Sequence, residues 1–377
     1  MDFSYSEVQQ MLQDSVKKFV SKNYDFDTRS KIIESDSGYS EENWKLFAEL
    51  GWLTVPFSEE DGGLGGSAVD LMVMMEEFGK ANLVEPYLPS VVLCGCLISE
   101  LATGEVREQM LGKLVGGDLQ LALAASETGS RFNSSKVATT AKSNGNNIII
   151  NGRKIAVLNG SNANELLVVA RESGGEVDAD GISVFLVNPD TSGVTVRPFT
   201  NIDGQKSSEI DFADVTVSAS ARLGEQGNAF MAMEKVIDKA IIAVSAEAVG
   251  VLETLLQKTV EYSKTRKQFG TVIGTFQALQ HRMADMFIEC QLARSIVVMA
   301  AMKLDGSAGQ MEKTKAVSAA KSRVGKAIRK VSQEAVQIHG GIGVTNELDV
   351  GHYFKRATAL EIMFGNTDYH IERFASL

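Results

Sequence analysis

"NNIIINGRKIAVLNG", residues 146–160, is the stretch whose reading decides the fold. Isoleucine and valine crowd its interior while asparagine and glycine bracket it, the pattern of a β-strand closed by turns. Short runs of the same kind flank it: "LQLALAAS" (119–126), "ELLVVARES" (165–173), "GISVFLVNP" (181–189), "GVTVRP" (193–198) and "SSEIDFADVTV" (207–217). Turn residues separate them, so they predict a small antiparallel sheet or barrel over 119–227.

Outward from this block the period changes from two to 3.6. In "NWKLFAELGW" (43–52) and "SAVDLMVMMEEFGKA" (67–81) apolar residues recur at i, i+3, i+4 and i+7, with the glycine-rich turn "EEDGGLGG" (59–66) between them. Residues 1–118 therefore predict an all-helical domain. Beyond "LGEQGNAF" (223–230) long helical patterns return over about 228–265, 272–304, 310–340 and 348–374, broken mainly at "HGGIG" (339–343). The expectation is an α+β chain: a helical domain (1–118), a central β-domain (119–227) and a C-terminal four-helix bundle (228–377).

Composition narrows the function. The net charge is −11, which excludes a broad basic field for nucleic acid or anionic membrane and leaves any anionic ligand to local cations. "KTKAVSAAKSRVGKAIRK" (313–330) is basic, but its apolar residues keep helical spacing, so its cations read as a solvated outer face. Three cysteines with no CxxC pair predict no disulfide framework and a reducing compartment. The four histidines show no metal-ligand spacing, so no metal is expected. The first twenty residues lack the charged and apolar regions of a signal peptide, and the apolar runs read as too short for a membrane span. A cytoplasmic protein binding small molecules is the expectation.

Four landmarks occur in order along the chain: "EEDGGLGG", "DFADVTVSASARLGEQGNAF" (211–230), "SKTRKQFGTVIGTFQALQHRMADM" (263–286) and "QIHGGIGVT" (337–345). With the three-part organisation, they resemble the acyl-CoA dehydrogenases over the whole length. The resemblance implies FAD, an acyl-CoA thioester, removal of the α-proton by a glutamate and of the β-hydrogen as hydride to flavin N5. It also implies a homotetramer or a heterotetramer with a second family chain, reoxidised by an electron-transferring flavoprotein.

Residue by residue, the resemblance gives Arg266, Gln268 and Phe269 of "RKQFG" to the pyrophosphate and adenosine end of the FAD of a neighbouring subunit. Arg266 offers a planar donor fork suited to phosphate oxygens. Gln277, Gln337, Gly340 and Gly341 resemble the rest of that contact. The β-domain departs more. Where the family has Thr-Glu-Pro followed by Gly-Ser-Asp, this chain reads "ASETGSRFN" (125–133), leaving Ser126 as a hydroxyl for the flavin. Where the family has Trp-Ile-Thr-Asn-Gly it reads "AVLNG" (156–160), so Ala156 replaces the aromatic beside the ring and Leu158 the threonine near N5.

The base itself is missing from its usual place. "IMFGNT" (362–367) aligns with Ile-Tyr-Glu-Gly-Thr and puts Phe364 at the glutamate, and the inner-helix position that a minority of members use aligns with Ala240. Glu247, seven residues further along the apolar helix 241–256, is the remaining candidate. It reads either as a relocated base or as a structural glutamate paired with an arginine; Glu127 and Asp368 align less well. Two functions stay open: an acyl-CoA dehydrogenase using Glu247, or a non-catalytic, cofactor-completing subunit of a heteromeric acyl-CoA dehydrogenase.

Overall fold

The computed structural model describes residues 5–377; the first four residues of the expected helical domain lie outside them. The N-terminal part forms α1 (Glu7–Asn23), α2 (Phe26–Glu34), α3 (Glu41–Glu49), α4 (Ala68–Ala81), α5 (Cys96–Leu101) and α6 (Gly104–Val115). Two of these start on reciprocal capping boxes, Ser6 with Gln9 and Ser67 with Asp70, which satisfy amides that a helix start leaves unpaired. "EEDGGLGG" opens with a single 3-10 turn at Glu59–Asp61 and ends it with Gly62 at φ 75°.

The β-prone runs become β1 (Leu121–Ala124), β2 (Thr140–Asn144), β3 (Asn147–Leu158), β4 (Glu165–Arg171), β5 (Ile182–Val187), β6 (Val194–Thr200), β7 (Lys206–Ser218) and β8 (Arg222–Leu223). They form one sheet in the order β6-β7-β3-β2-β4-β5-β8, with β1 added beside β4. Most pairs are antiparallel as expected, but β1 and β2 both run parallel to β4, because neither is joined to β4 by a hairpin. β3 carries the opening stretch, and its alternate residues Ile148 and Ile150 join Leu166, Val168, Phe185, Ile210 and Phe212 in the sheet's core. Register shifts between Ile150 and Gly152 and again between Lys154 and Val157 interrupt its ladder with β7, and Ala156 in the second shift takes φ 51°.

The C-terminal part is α7 (Phe230–Thr265), a tight hairpin of β9 (Lys267–Gln268) and β10 (Thr271–Val272), α8 (Gln277–Asp305), α9 (Gln310–His339), α10 (Asp349–Ile362) and α11 (Thr367–Ser376). The last helical run, expected to continue over 348–374, is thus broken at 363–366. Phe364 at φ 57° and Gly365 at φ 115° cannot continue a helix, and Asn366 then caps α11 by accepting from Tyr369 N.

Packing groups the chain into two compact units, one of Met1–Lys31, Ser67–Leu83 and Ile241–Leu377, the other of Ile32–Gly66 and Val84–Ala240. Within the first, α4 and α7 touch backbone to backbone. A Cβ on Gly79 would lie 1.9 Å from the Glu247 carbonyl oxygen, and one on Gly250 would lie 2.0 Å from that of Glu76. Two glycines facing each other's helix allow this approach. The apolar runs are not all short: α7 holds an 18-residue window of mean hydropathy 1.5, long and apolar enough for a membrane. Since 78% of that window is buried inside the protein, it is a core helix.

Candidate active site and cofactor contacts

Glu247 sits on the inner helix α7, and Arg356 reaches it from α10. Both are buried, and Arg356 donates from Nε to Oε1 at 2.6 Å and from Nη2 to Oε2 at 2.8 Å. A two-pronged ion pair of this kind uses both carboxylate oxygens and holds the charge where water cannot. The arginine partner that one of the two sequence readings expected for Glu247 is therefore present. Ala240 is fully buried and offers nothing to titrate.

At the other candidate position the backbone is shaped and the side chain is inert. Phe364 adopts a left-handed conformation in the turn between α10 and α11. Lys321, from inside the basic run of α9, donates to the carbonyls of Leu360 at 2.9 Å, Glu361 at 2.8 Å and Gly365 at 2.9 Å. His370 Nε2 lies 3.0 Å from the Phe364 carbonyl. Lys321 is only 2% exposed, which corrects the reading of every cation in 313–330 as solvated. Burial pushes its ammonium down to about 7 against the attraction of Glu361. Burial, then the neighbouring Lys321 charge, hold the His370 imidazole down at about 3. Asp368 is exposed on α11.

The residues expected at the adenosine end gather where α7 and α9 end and α8 begins. Tyr262 stacks on His339 with ring centroids 4.4 Å apart, and Arg282 pairs with Glu334 at 3.0 Å, so the 262–282 segment lies beside the end of α9. Arg266, Gln268, Phe269, Gln277, Gln337, Gly340 and Gly341 are all exposed. Phe269, at the tip of the β9–β10 hairpin, is 93% exposed. A Cβ on Gly340 or Gly341 would meet nothing within 4 Å, so their backbone is open to a ligand. Exposed donors with open peptide edges suit a phosphate-and-adenosine group.

Ser126, in the sheet-bearing unit, is also exposed. Its carbonyl accepts from Ile155 N at 2.9 Å, so the loop it belongs to is tied to the second bulge of β3. Next to it Glu127 is buried rather than free: it accepts from Lys154 Nζ at 2.6 Å, from Ala138 N at 2.7 Å and from Thr139 N at 3.0 Å. A cleft of about 780 Å³ in the same unit, lined by Lys113, Asp118, Glu165 and Asp190 among others, contains none of the expected site residues. Among the described residues no group of three or more His, Cys, Asp or Glu gathers as a metal would require.

Profiles of the acyl-CoA dehydrogenase N-terminal, middle and C-terminal domains match residues 6–118, 122–215 and 230–376. The chain belongs to the acyl-CoA dehydrogenase family. It is 31% identical over 373 residues to a protein named probable acyl-CoA dehydrogenase YngJ of Bacillus subtilis, covering 98% of this chain and 97% of that one. Its fold matches a chain of the ChsE4-ChsE5 complex from Mycobacterium tuberculosis, with TM-score 0.89, 25% identity, and coverage of 100% and 98%. A structure solved as the electron transferring flavoprotein of Acidaminococcus fermentans, studied for flavin-based electron bifurcation, matches with TM-score 0.89 and 29% identity over 100% and 98%.

Acyl-CoA dehydrogenases are FAD-dependent oxidoreductases, so the two halves of this chain's cofactor set can be compared. The adenosine-end residues fit that half of FAD. The ring-end residues fit in part: Ser126 keeps a hydroxyl, while exposed Ala156 and half-buried Leu158 give neither a stacking face nor a hydrogen bond. The sequence reading missed Arg356, Lys321 and His370. Only Lys321 left a signal: it stands in the apolar stripe Val317, Val324, Ile328 and Val331 of α9, where a solvated lysine does not belong.

Proposed function

We propose that this chain works in an acyl-CoA dehydrogenase assembly as the subunit that completes the adenosine side of a FAD whose ring and glutamate base belong to a second family chain. The observation that carries this reading is the Glu247–Arg356 ion pair. Phe364 and buried Ala240 offer no carboxylate, Glu247 is held by Arg356, Glu127 is held by Lys154 and Asp368 is exposed, which supports a base supplied by another chain. What remains suited to cofactor is the exposed set around the β9–β10 hairpin and the end of α9. Arg266 grips phosphate oxygens with its fork, Gln268, Gln277 and Gln337 offer amide groups, and Phe269 covers an apolar face. When bound, the flavin would accept the hydride that leaves Cβ.

The similarity to a chain of the ChsE4-ChsE5 complex supports a pairing of unlike chains, here a heterotetramer with a second acyl-CoA dehydrogenase chain. We assign an electron-transferring flavoprotein as acceptor on the family resemblance and the Acidaminococcus similarity. The substrate class is an acyl-CoA thioester.

The test is the visible spectrum of the chain purified alone and co-purified with a second family chain, with flavin per polypeptide measured after denaturation. The proposal expects a colourless protein alone and flavin only in the pair. One FAD per chain alone, bleached by an acyl-CoA without added acceptor, overturns it and restores the single-chain enzyme. Glu247→Gln then decides whether Glu247 is the base, because a base variant loses turnover while keeping its flavin.

A further inference from the structure

Four carbonyls at the end of α10, those of residues 360, 361, 364 and 365, are taken up by two side chains from two other helices. Lys321 of α9 serves three of them and His370 of α11 the fourth. A carbonyl can only accept, so His370 Nε2 carries the proton and Nδ1 is a buried lone pair with no partner among the described residues. The turn is fixed from its other side as well. Glu361 Oε1 accepts from Thr367 N at 3.3 Å and from its hydroxyl at 3.2 Å. A Cβ at Gly365 would fall 2.3 Å from the Tyr369 ring and 2.8 Å from His370 Nε2, so the residue following Phe364 has no room for a side chain.

Helix ends rarely need this. Water, a glycine cap or a 3-10 turn satisfies the last carbonyls of most helices. Here a lysine is buried at the cost of its hydration, and a neutral histidine with an idle nitrogen is buried beside it. The expense falls on one short turn, and that turn carries the residue aligned with the family's base.

We propose that Lys321 and His370 are positioning residues for position 364, clamping the turn 363–366 so that the side chain at 364 is held in one place. In this chain the clamp presents an aromatic surface where a carboxylate would stand. The inference does not depend on which chain supplies the base, because it concerns the turn and not its reactivity.

The test reads the turn directly. The three native cysteines are buried, so a nitroxide label attaches selectively to a Phe364→Cys variant of the full chain. Its spectrum should be immobilised with Lys321 present and mobile after Lys321→Met. Amide exchange of peptides covering 361–370 should rise in the same variant on the order of tenfold or more, the factor for losing a hydrogen bond to a charged donor. Peptides covering 243–253 should not change. An unchanged spectrum with unchanged exchange overturns the proposal, and so does a rise shared equally by both segments, which would mean general loosening. If Lys321→Met does not fold, His370→Leu carries the same comparison, with faster exchange confined to 361–370 expected and the same outcomes overturning it.

Discussion

Arg356 holds Glu247 by both prongs of its guanidinium, and the two helices that bring them together are α10 and α7. Truncating one partner strands the other as a buried charge. Arg356→Met should therefore cost about 3–5 kcal/mol, whereas the double change to Met at 247 and 356 should recover most of that loss. Urea denaturation of the wild type, the two single Met variants and the double variant measures it. Additive losses would mean the pair is not a coupled unit.

Gly79 and Gly250 make the α4–α7 contact possible. Gly250→Ala must push a methyl group to within 2.0 Å of the Glu76 carbonyl, and backbone cannot step aside as a side chain can. The expected loss lies at or above the upper end of the about 1–3 kcal/mol of ordinary overpacking. A Tm equal to that of the parent would show that the helices can separate at little cost.

Acid should act on the clamp through His370. Its folded value of about 3 lies below the ordinary 6.5, so the unfolded chain binds the extra proton between those values. The stability it contributes is complete above about pH 6.5 and drains away as pH falls toward 3. Lys321, lowered to about 7 from 10.5, acts in a different window, adding stability as pH rises between those values. The stability difference between wild type and His370→Gln, followed from pH 7 to 4, should shrink or invert as pH falls. A constant difference refutes this.

Arg266 is exposed, and surface changes usually alter stability by no more than about 0.5 kcal/mol. Arg266→Ala should thus leave the Tm of this chain unchanged while lowering the flavin content of the co-purified assembly. Flavin retained at the wild-type ratio would remove Arg266 from the cofactor contact.

Lys154 and Glu127 form a second buried pair, under the loop that carries Ser126. Burial raises the Glu127 carboxyl, but Lys154 and Thr139 together outweigh it and hold the group below its ordinary range. Lys154→Met should cost about 3–5 kcal/mol by leaving that carboxylate unpaired. The loss should narrow at low pH, where Glu127 takes up a proton, as thermal unfolding at pH 4 and pH 7 would show.

The element types were legible because periodicity is local. The Ile-rich β3, the periodic α4 and the long apolar α7 each announce themselves within a dozen residues, and the absence of a carboxylate at 364 and 240 needs only the letters. Boundaries set by backbone conformation were less so: the left-handed turn at Phe364 split a run whose apolar pattern is unbroken, and β1 found a parallel partner that no hairpin signal foretells.

By itself, then, the sequence determined the order of helical and β segments and the absence of a carboxylate at 364, while the hairpin at 267–272 and its exposure came with the structure. Tertiary structure alone decided which charge faces Glu247, because its partner Arg356 lies 109 residues away. It decided likewise that Lys321, one cation among many in a basic run, turns inward to hold a turn more than three dozen residues downstream. Charge is written in the chain, but burial and partnership arise only when distant segments meet.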